Sequence, residues 1–291
     1  MSEDPNKKIA FQGLAGAYSD MACRAAYPDM EPLPCPTFEE TFAAVAESRA
    51  LFAMIPIENS IAGRVADIHR LLPGSDLHIV GEHFQPVNHH LIGCSGSSVE
   101  NLIEVHSHIH ALAQCRSLIR KLGVQGRVVA DTAGAAAAIS KAGDKRHGAI
   151  ASQLAAKIYG LQVLQENVED AEHNTTRFVV MSKEPVDPNP ADGKIITTFV
   201  FEVRNIPAAL YKALGGFATN GINMLKLESY LGSDSFTSAQ FYADVAGHPT
   251  DTSLRLALEE LGFFSRTVTI LGVYVADSYR DSSVRGGSIS F

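Results

Sequence analysis

Short apolar runs alternate with helix-like segments over the first two thirds of the chain, and several runs meet a polar cluster at one end. The apolar run Leu51–Ile55 leads into Pro56–Ser60, and Asn174–Arg177 leads into the apolar run Phe178–Met181. Open α/β sheets bind ligands at the carboxyl ends of their strands, where polar groups and helix N-termini meet. The pattern therefore predicts an anion-binding cleft on parallel or mixed sheets with helices on their faces.

Two breaks in the pattern divide the chain into domains. A break near residues 82–86 suggests two lobes, and the last strand of this block is expected to return to the first lobe. The stretch 185–193 has three prolines and is typical of a linker. Beyond it the elements follow the order βαββαβ, the ferredoxin-like split unit. We predict a two-lobed α/β domain at 7–184 (lobe 1 about 7–84 plus 177–184, lobe 2 about 85–176), a second domain at 194–276 and a flexible tail at 277–291.

Composition and charge narrow the function classes. The 291 residues carry a formal net charge of −8, so no basic stripe is available to neutralise nucleic-acid phosphates or an anionic membrane. No apolar stretch reaches the length of a membrane span, and the N-terminus lacks the apolar core of a signal peptide. The four cysteines form no C-x-x-C pair, which is typical of reduced core residues. We expect a cytoplasmic protein with no nucleic-acid or membrane partner.

Five motifs occur in a fixed order: Gly13-x-x-Gly16-x-Tyr18-Ser19, Pro56–Ser60 with Gly63, Ser107-His108-x-x-Ala111–Cys115, Tyr159–Leu161 and Asn174-x-Thr176-Arg177-Phe178. With these motifs the chain resembles prephenate dehydratases, lyases that convert prephenate to phenylpyruvate, CO2 and water in L-phenylalanine biosynthesis. The βαββαβ unit, with Asn205–Leu210 and Gly221–Ser229, resembles the ACT regulatory domain. The resemblance implies a periplasmic-binding-protein-like catalytic domain, a monofunctional enzyme, and no metal or organic cofactor. It also implies phenylalanine as effector and a homodimer or homotetramer assembled through ACT domains.

The resemblance also assigns catalytic residues. It makes Thr176 the central catalytic side chain, with Asn59 and Glu58 beside the substrate. A threonine hydroxyl is a weak acid, so Thr176 either donates the proton, holds the leaving hydroxyl or relays a proton. Glu58 would repel a dianion when ionised, so it is protonated, paired or placed by the leaving hydroxyl.

Further residues are expected to bind substrate: Gly16, Ser60, Ser107, Gln114, Thr132, Arg177 and Phe178. Several of the predicted residues also have a structural interpretation that stays open. Asn59, Ser60 and Thr132 are possible helix caps, Gln114 a buried hydrogen-bonding amide, and Arg177 one half of an ion pair with Glu169 or Asp170.

The predicted effector contacts are Ala208, Ala209, Leu210, Asn223, Glu228 and Ser229. The chain departs from the family pattern here, because Ala208 stands where a glycine is frequent and Tyr230-Leu231 where Arg-Pro is frequent. Glycine permits a close approach of backbone and effector. Ala208 therefore argues for an altered response to phenylalanine.

Three alternatives remain from the sequence. His106, His108 and His110 would share a face for metal binding only if a strand ran through all three, and a helix from about Ala111 to Leu122 argues against this. A two-lobed clamp joined to an ACT unit would also suit a non-catalytic amino-acid receptor. A third alternative keeps the chemistry but uses arogenate, which bears an amine in place of the keto group.

Overall fold

The computed structural model describes residues 4–231 and 239–283 and is a mixed α/β structure. Strands are numbered in chain order: β1 Lys8–Gln12, β2 Glu31–Cys35, β3 Phe52–Asn59, β4 Gly63–Arg64, β5 His78–Pro86, β6 His90–Gly93, β7 Glu104–Ser107, β8 Gln125–Val128, β9 His147–Ala151, β10 Gln162–Gln165, β11 Thr175–Ser182, β12 Ile195–Val203, β13 Met224–Leu231, β14 Ala239–Ala246 and β15 Ser265–Val275.

The α-helices are numbered in the same way: α1 Tyr18–Ala26, α2 Phe38–Ala46, α3 Ala66–Leu71, α4 Ile109–Gln114, α5 Arg116–Leu122, α6 Thr132–Ala142, α7 Gln153–Ile158, α8 Ala209–Thr219, α9 Thr252–Phe264 and α10 Tyr279–Ser283. None of them combines the length and the apolar composition that crossing a bilayer requires. The chain separates into two compact units. The first contains the described residues up to Arg64 and Phe84–Phe178; the second contains Val65–His83 and the described residues from Val179 onward.

In the first unit, β1 lies between β2 and β3 and pairs with both in parallel. Its residues Ile9, Ala10 and Phe11 are fully buried, as expected for a central strand of an α/β sheet. Strand β2 was not predicted from the sequence, and it contains two prolines, Pro32 and Pro34, which are unusual in a strand. The structure accommodates both prolines because β2 is an edge strand, where a missing N–H costs no ladder bond.

A second sheet of this unit has the strand order β10-β6-β9-β7-β8. Strand β7 pairs in parallel with β8 and β9, and β6 pairs antiparallel with β9, so the sheet is mixed as predicted. Side chains alternate along β7: Val105 and Ser107 are buried, while Glu104 and His106 face the other side and are half-buried. The carboxyl ends of β7, β8 and β9 each lead toward a helix.

Two expectations about these helices are wrong. Asp131, not Thr132, caps α6, because its side chain accepts the N–H of Gly134 at 2.6 Å, and Thr132 is the first helical residue. The single helix expected from Ala111 to Leu122 is two helices, α4 and α5, separated at Cys115, whose backbone leaves the helical region (φ −122°, ψ 30°).

The second unit contains the elements β12-α8-β13-β14-α9-β15 in the predicted βαββαβ order. Its strands pair antiparallel in the order β13-β14-β12-β15. Phe199 and Phe201 of β12 pack with Phe217 of α8 and Leu254 of α9 in one buried cluster. Full burial of each such side chain contributes roughly 1.5–3 kcal/mol, so this cluster stabilises the unit substantially.

The flexible tail predicted from residue 277 begins instead with an ordered segment. Helix α10 covers Tyr279–Ser283, and Arg280 donates to both carboxylate oxygens of Glu82 at 2.7 and 2.8 Å. Glu82 also accepts the backbone N–H of Asp277. These charge-assisted bonds hold the segment. The rest of the predicted tail, residues 284–291, lies outside the described residues.

Candidate active site

The side-chain amide of Asn59, at the end of β3, has a fixed orientation. Its Oδ1 accepts the backbone N–H groups of Ile61 and Ala62 at 3.0 and 2.8 Å. These bonds form a turn into β4, so Asn59 does not cap a helix. Because a backbone N–H only donates, the opposite atom of the amide must be Nδ2, and it faces the start of β11.

Asn59 Nδ2 donates to two side chains that lie before and within β11. The acceptors are Asn174 Oδ1 at 2.7 Å and Thr176 Oγ1 at 2.9 Å. Because Thr176 Oγ1 accepts this bond, its own hydroxyl proton points elsewhere and is available to a ligand. Thr176 is half-buried. The pair therefore presents a neutral hydroxyl donor whose proton points away from Asn59, which suits the stabilisation of a developing oxyanion.

The hydrogen bonds continue from Asn174 into α4 and toward α1. Asn174 Nδ2 donates to Gln114 Oε1 at 3.0 Å, and Nε2 of His89 lies 2.8 Å from the same oxygen. His89 Nδ1 lies 2.8 Å from the hydroxyl of Tyr18. Burial is the main reason that the pKa of His89 is lowered and the pKa of the Tyr18 phenol is raised. Gln114, which was predicted to bind substrate, is thus one link of a side-chain network.

Glu58 and Arg177 form a separate pair. Arg177 Nη1 lies 3.1 Å from Glu58 Oε1; the Arg177 side chain is 2% exposed and that of Glu58 33%. Successive side chains of a strand point to opposite faces, so this pair lies on the other side of the strands from Asn59 and Thr176. The structure does not bring these two residues together with Thr176, and their roles toward substrate stay predictions.

The predicted acidic partners of Arg177 have other contacts. Glu169 accepts the backbone N–H of His89 at 2.8 Å, and Asp170 accepts that of Ser117 at 3.2 Å. The ion-pair interpretation of Arg177 thus holds with Glu58 as the partner.

Two serines predicted to bind substrate make hydrogen bonds to the backbone. Ser60 donates to the carbonyl of His173 at 2.8 Å and accepts the N–H of Thr175 at 3.0 Å, which ties the end of β3 to the segment before β11. Ser107 is fully buried and donates to the carbonyl of Ile150 at 2.6 Å. Phe178 is also buried, at 1% exposure, among core residues. A contact of any of them with substrate stays a prediction.

Gly16 lies in a tight contact between the α1 loop and α7. Its carbonyl accepts the hydroxyl of Ser152 at 2.5 Å, and its N–H donates to the buried carboxylate of Asp20 at 2.8 Å. Its φ of +90° is left-handed, and a Cβ at this position would lie 2.7 Å from Cα of Ala155. The site therefore requires glycine for both backbone conformation and space.

Comparison with known proteins decides the family. A family model described as prephenate dehydratase matches residues 9–186, more than half of the chain. The chain belongs to the prephenate dehydratase family. The resemblance to prephenate dehydratases is therefore confirmed, and the family is one of enzymes. The alternative interpretation, a non-catalytic amino-acid receptor, is therefore not supported.

The chain is similar to three known proteins whose names include prephenate dehydratase. It is 53% identical over 272 residues to the bifunctional N-acyl-homoserine lactone acylase/prephenate dehydratase of Komagataeibacter europaeus, covering 94% of this chain and 97% of the relative. It is 39% identical to arogenate dehydratase/prephenate dehydratase 1, chloroplastic, of Arabidopsis thaliana, covering 96% and 74%. The solved prephenate dehydratase of Arthrobacter aurescens in complex with L-Phe is 28% identical with a TM-score of 0.84, covering 92% and 90%.

Sequence reasoning missed three members of the network around Thr176, namely Tyr18, His89 and Asn174. Tyr18 and Asn174 stand inside prephenate dehydratase motifs but were not assigned a role. His89 gave a weaker signal, a polar residue next to the apolar segment that becomes β6. His89 is 2% exposed, so both of its ring nitrogens need hydrogen-bond partners. These partners can be identified only from the three-dimensional contacts.

A different set of histidines could hold a metal ion. His106 Nε2 lies 3.0 Å from Glu104 Oε2, and one ligand atom from each of Glu104, His106 and His147 lies within 4.8 Å of the others. The register places Glu104 directly opposite His147 on β9. Arg127 lies 3.6 Å from the same Glu104 oxygen and competes with a cation there. The rings of His108 and His110 instead contact each other, 5.1 Å apart.

In the second unit, a cavity of about 310 Å³ lies at the start of α8. This volume is within the range of small-molecule pockets. Of the predicted effector residues, Ala208, Ala209 and Leu210 line the cavity, whereas Asn223, Glu228 and Ser229 are not among its lining residues. Glu228 pairs with Lys226 at 2.9 Å and with His69 at 3.0 Å. Ala208 has a left-handed backbone (φ 61°, ψ 20°) immediately before α8.

Proposed function

We propose that this protein catalyses the decarboxylating dehydration of prephenate to phenylpyruvate, CO2 and water. The electrons of the bond to the departing carboxylate enter the ring as CO2 leaves. They expel the ring hydroxyl, which departs as water once it has gained a proton, and the ring becomes aromatic. The enzyme's task is to orient a dianion and to assist the departure of hydroxide, for which neutral, fixed donors are suited.

The hydrogen bond from Asn59 Nδ2 to Thr176 Oγ1 carries this proposal. It occupies one lone pair of Thr176 and directs the hydroxyl proton away from Asn59. In our proposal that proton is donated to the departing ring hydroxyl, and Thr176 regains a proton from solvent water. A carboxylate in place of Asn59 would repel the dianionic substrate. The amide of Asn59 and the hydroxyl of Thr176 are uncharged and do not.

Turnover of variants at Thr176 tests the proposal. Thr176→Ala removes the donor and is expected to lower kcat by roughly 10²–10³-fold, as loss of one oxyanion donor does. Thr176→Ser keeps the hydroxyl and is expected to retain most activity. Thr219→Ala, which truncates an exposed threonine of α8, is the matched control. Phenylpyruvate formation is followed by its ultraviolet absorbance. Wild-type turnover by Thr176→Ala would contradict the role, and no turnover by the wild type would contradict the function.

The substrate itself is a separate question, because the Arabidopsis relative is named for both arogenate and prephenate. We propose prephenate as the main substrate. Parallel assays with prephenate and arogenate measure the preference as a ratio of kcat/KM values. The two-lobed, periplasmic-binding-protein-like organisation of residues 7–184 and the cytoplasmic location stay predictions from the sequence.

We further propose that residues 194–276 form an ACT domain that binds phenylalanine and joins subunits into a homodimer or homotetramer. The βαββαβ element order and the cavity beside Ala208–Leu210 support this assignment. The Arthrobacter prephenate dehydratase, solved in complex with L-Phe, gives further support. Calorimetric titration with phenylalanine, alongside inhibition of turnover, tests the effector. Sedimentation velocity with and without phenylalanine tests the assembly.

A second candidate activity is the hydrolysis of N-acyl-homoserine lactones, because the Komagataeibacter relative is named for both activities. A hydrogen-bonded hydroxyl, imidazole and carboxylate in the second unit favour it. Thr250 Oγ1 lies 2.6 Å from His248 Nδ1, and His248 Nε2 lies 2.8 Å from Asp187 Oδ1. The N–H of Thr250 also points at Nδ1, so Nδ1 is the acceptor and Nε2 carries the proton given to Asp187. This order suits a nucleophile with its base.

In this activity, Thr250 Oγ1 would attack the amide carbonyl while His248 takes the hydroxyl proton and passes it to the departing amine. Water then hydrolyses the acyl ester. The test measures release of homoserine lactone by Thr250→Ala and by Thr176→Ala. Loss in Thr250→Ala alone, with prephenate turnover kept, supports the second site. Loss in Thr176→Ala alone would overturn the assignment of Thr250, and no release by the wild type would overturn the activity.

A further inference from the structure

We propose that His89 is a positioning residue, which acts through Gln114 and Asn174 to fix the amide of Asn59 and the proton direction of Thr176. The proposal rests on the proposed function of Thr176. It concerns a buried histidine that no family motif quoted above contains. Its ring is held from two sides, by the hydroxyl of Tyr18 at Nδ1 and by the amide oxygen of Gln114 at Nε2.

The direction of the whole network follows from two backbone groups. The N–H groups of Ile61 and Ala62 can only donate, so the atom of Asn59 that they contact is Oδ1. Asn59 must then present its NH2 group to Asn174, which presents Oδ1 in return. The NH2 group of Asn174 therefore faces Gln114, which presents Oε1. The positions of the oxygen and the nitrogen in each amide are thus determined by the neighbouring hydrogen-bond partner.

The same logic fixes the tautomer of His89. Gln114 Oε1 is an acceptor, so the ring nitrogen 2.8 Å away must carry a hydrogen, and this nitrogen is Nε2. In the neutral ring Nδ1 is then the acceptor, and the Tyr18 hydroxyl is its donor. The Tyr18 hydroxyl also lies 2.8 Å from the carbonyl of Asn88, but a phenol has a single proton to give. Donation to Nδ1 is therefore the state that the neutral imidazole requires.

His89 joins the row of side-chain amides to the hydroxyl of Tyr18. If Gln114 flipped, its NH2 group would face the Nε2–H of His89, two donors in contact at a buried position. The same flip would place the NH2 group of Gln114 against that of Asn174. His89 thus stabilises, at one end of the row of amides, the same orientation that the N–H groups of Ile61 and Ala62 impose at the other end. Asn59 has two hydrogens, one for Asn174 and one for Thr176, so a rotation there also withdraws the bond to Thr176.

The ring of His89 is itself rigidly placed. It packs edge-on against Tyr18 with centroids 5.4 Å apart and an interplanar angle of 77°. Its backbone N–H donates to Glu169 at 2.8 Å, and its carbonyl accepts the N–H of Val168 at 2.8 Å. A residue locked in this way at ring and backbone can orient partners with little freedom to relax.

Variants at His89 and Tyr18 test the proposal with matched pairs. His89→Phe keeps a ring but removes the donor to Gln114, and we expect kcat on prephenate to fall roughly 10–100-fold with little change in KM, as for a small misplacement of a catalytic group. His89→Gln can still donate an N–H to Gln114 and is expected to recover most of the loss. Tyr18→Phe removes the donor to Nδ1 and is expected to give a smaller loss. Full activity of His89→Phe overturns the proposal, as does equal loss in His89→Phe and His89→Gln.

A second measurement does not depend on turnover or on a variant that folds. Long-range ¹H–¹⁵N correlation spectra of the wild-type protein, with ¹⁵N-labelled histidine, report which ring nitrogen is protonated. We expect the Nε2–H tautomer for His89. An Nδ1–H tautomer in the wild type overturns the proposed direction of the network. Because this spectrum needs no substrate, it distinguishes failure of the network from failure of the proposed reaction.

Discussion

Nδ2 of Asn59 donates to Oγ1 of Thr176 across 2.9 Å, although 117 positions separate the two residues in the chain. The contact depends on β3 ending beside the start of β11, where the N–H of Ser60 donates to the carbonyl of Thr175 at 2.9 Å. Ser60 adds its side chain to the same junction. The motifs that carry Asn59 and Thr176 thus form one structural unit. Thr176 Oγ1 accepts a hydrogen bond from Asn59 because of this junction, and its hydroxyl proton is therefore directed away from Asn59.

The first prediction concerns Asn59→Asp. The carboxylate keeps an acceptor for the N–H groups of Ile61 and Ala62 but loses the donor to Thr176, and it brings a negative charge toward a dianionic substrate. We expect kcat on prephenate to fall by at least about 10²-fold, with the thermal midpoint within a few degrees of wild type. Steady-state kinetics and circular dichroism melting measure both. Asn101→Asp, at an exposed asparagine, is the control. Activity near the wild-type value would show that the donor to Thr176 is dispensable.

The second prediction concerns the stability that the Glu58–Arg177 pair contributes. Glu58→Gln weakens a charge-assisted bond to a guanidinium that is 2% exposed, and we expect the free energy of unfolding to fall by about 1.5–3 kcal/mol. Urea denaturation measures this value. Glu47→Gln breaks an exposed pair with Arg49 and is the matched control, with an expected change of about 0–1 kcal/mol. Equal losses of unfolding free energy in Glu58→Gln and Glu47→Gln would show that burial of Arg177 does not strengthen its pair with Glu58.

Local sequence patterns predicted those parts of the site that lie within one short segment of the chain. The apolar run before Pro56 and the motif around Thr176 predicted where the two strands would meet the polar residues. Asp131 shows the limit of such reasoning, since either Asp131 or Thr132 satisfies the pattern of a cap and only the backbone geometry decides between them. Strand β2, which was missed, contains two prolines; these suit an edge strand, and edge position is a property of the assembled sheet.

The partners of buried polar groups were harder still to predict. Gln114 was correctly expected to need a hydrogen bond, but its partners His89 and Asn174 lie 25 and 60 positions away. No spacing in the sequence encodes such contacts. Arg177 shows the same limit, because a structural ion pair was foreseen and its partner, 119 positions away, was not.

The third prediction concerns Gly16→Ala. The added Cβ meets a left-handed φ of +90° and lies 2.7 Å from Cα of Ala155. Gly143→Ala is the matched control, because that glycine also has a positive φ (+68°) but no atom within 4 Å of the added Cβ. We expect Gly143→Ala to cost about 1–2 kcal/mol and Gly16→Ala to cost about 1–3 kcal/mol more, from overpacking. Urea denaturation of both variants measures the difference, and equal costs would contradict the close approach.

The fourth prediction concerns the proposed effector site. Ala208 lines the cavity with a left-handed backbone, so its Cβ is held where a glycine would leave free space for a ligand. Ala208→Gly removes that Cβ, and we expect phenylalanine to bind roughly tenfold more tightly, a change of about 1.4 kcal/mol in binding free energy. Isothermal titration calorimetry compares the two proteins. Ala246→Gly removes a Cβ at the end of β14 that is not among the cavity-lining residues, and it should leave the affinity unchanged. Equal or weaker binding by Ala208→Gly would show that this methyl group does not limit access, and that the departure from glycine at position 208 leaves the effector response intact.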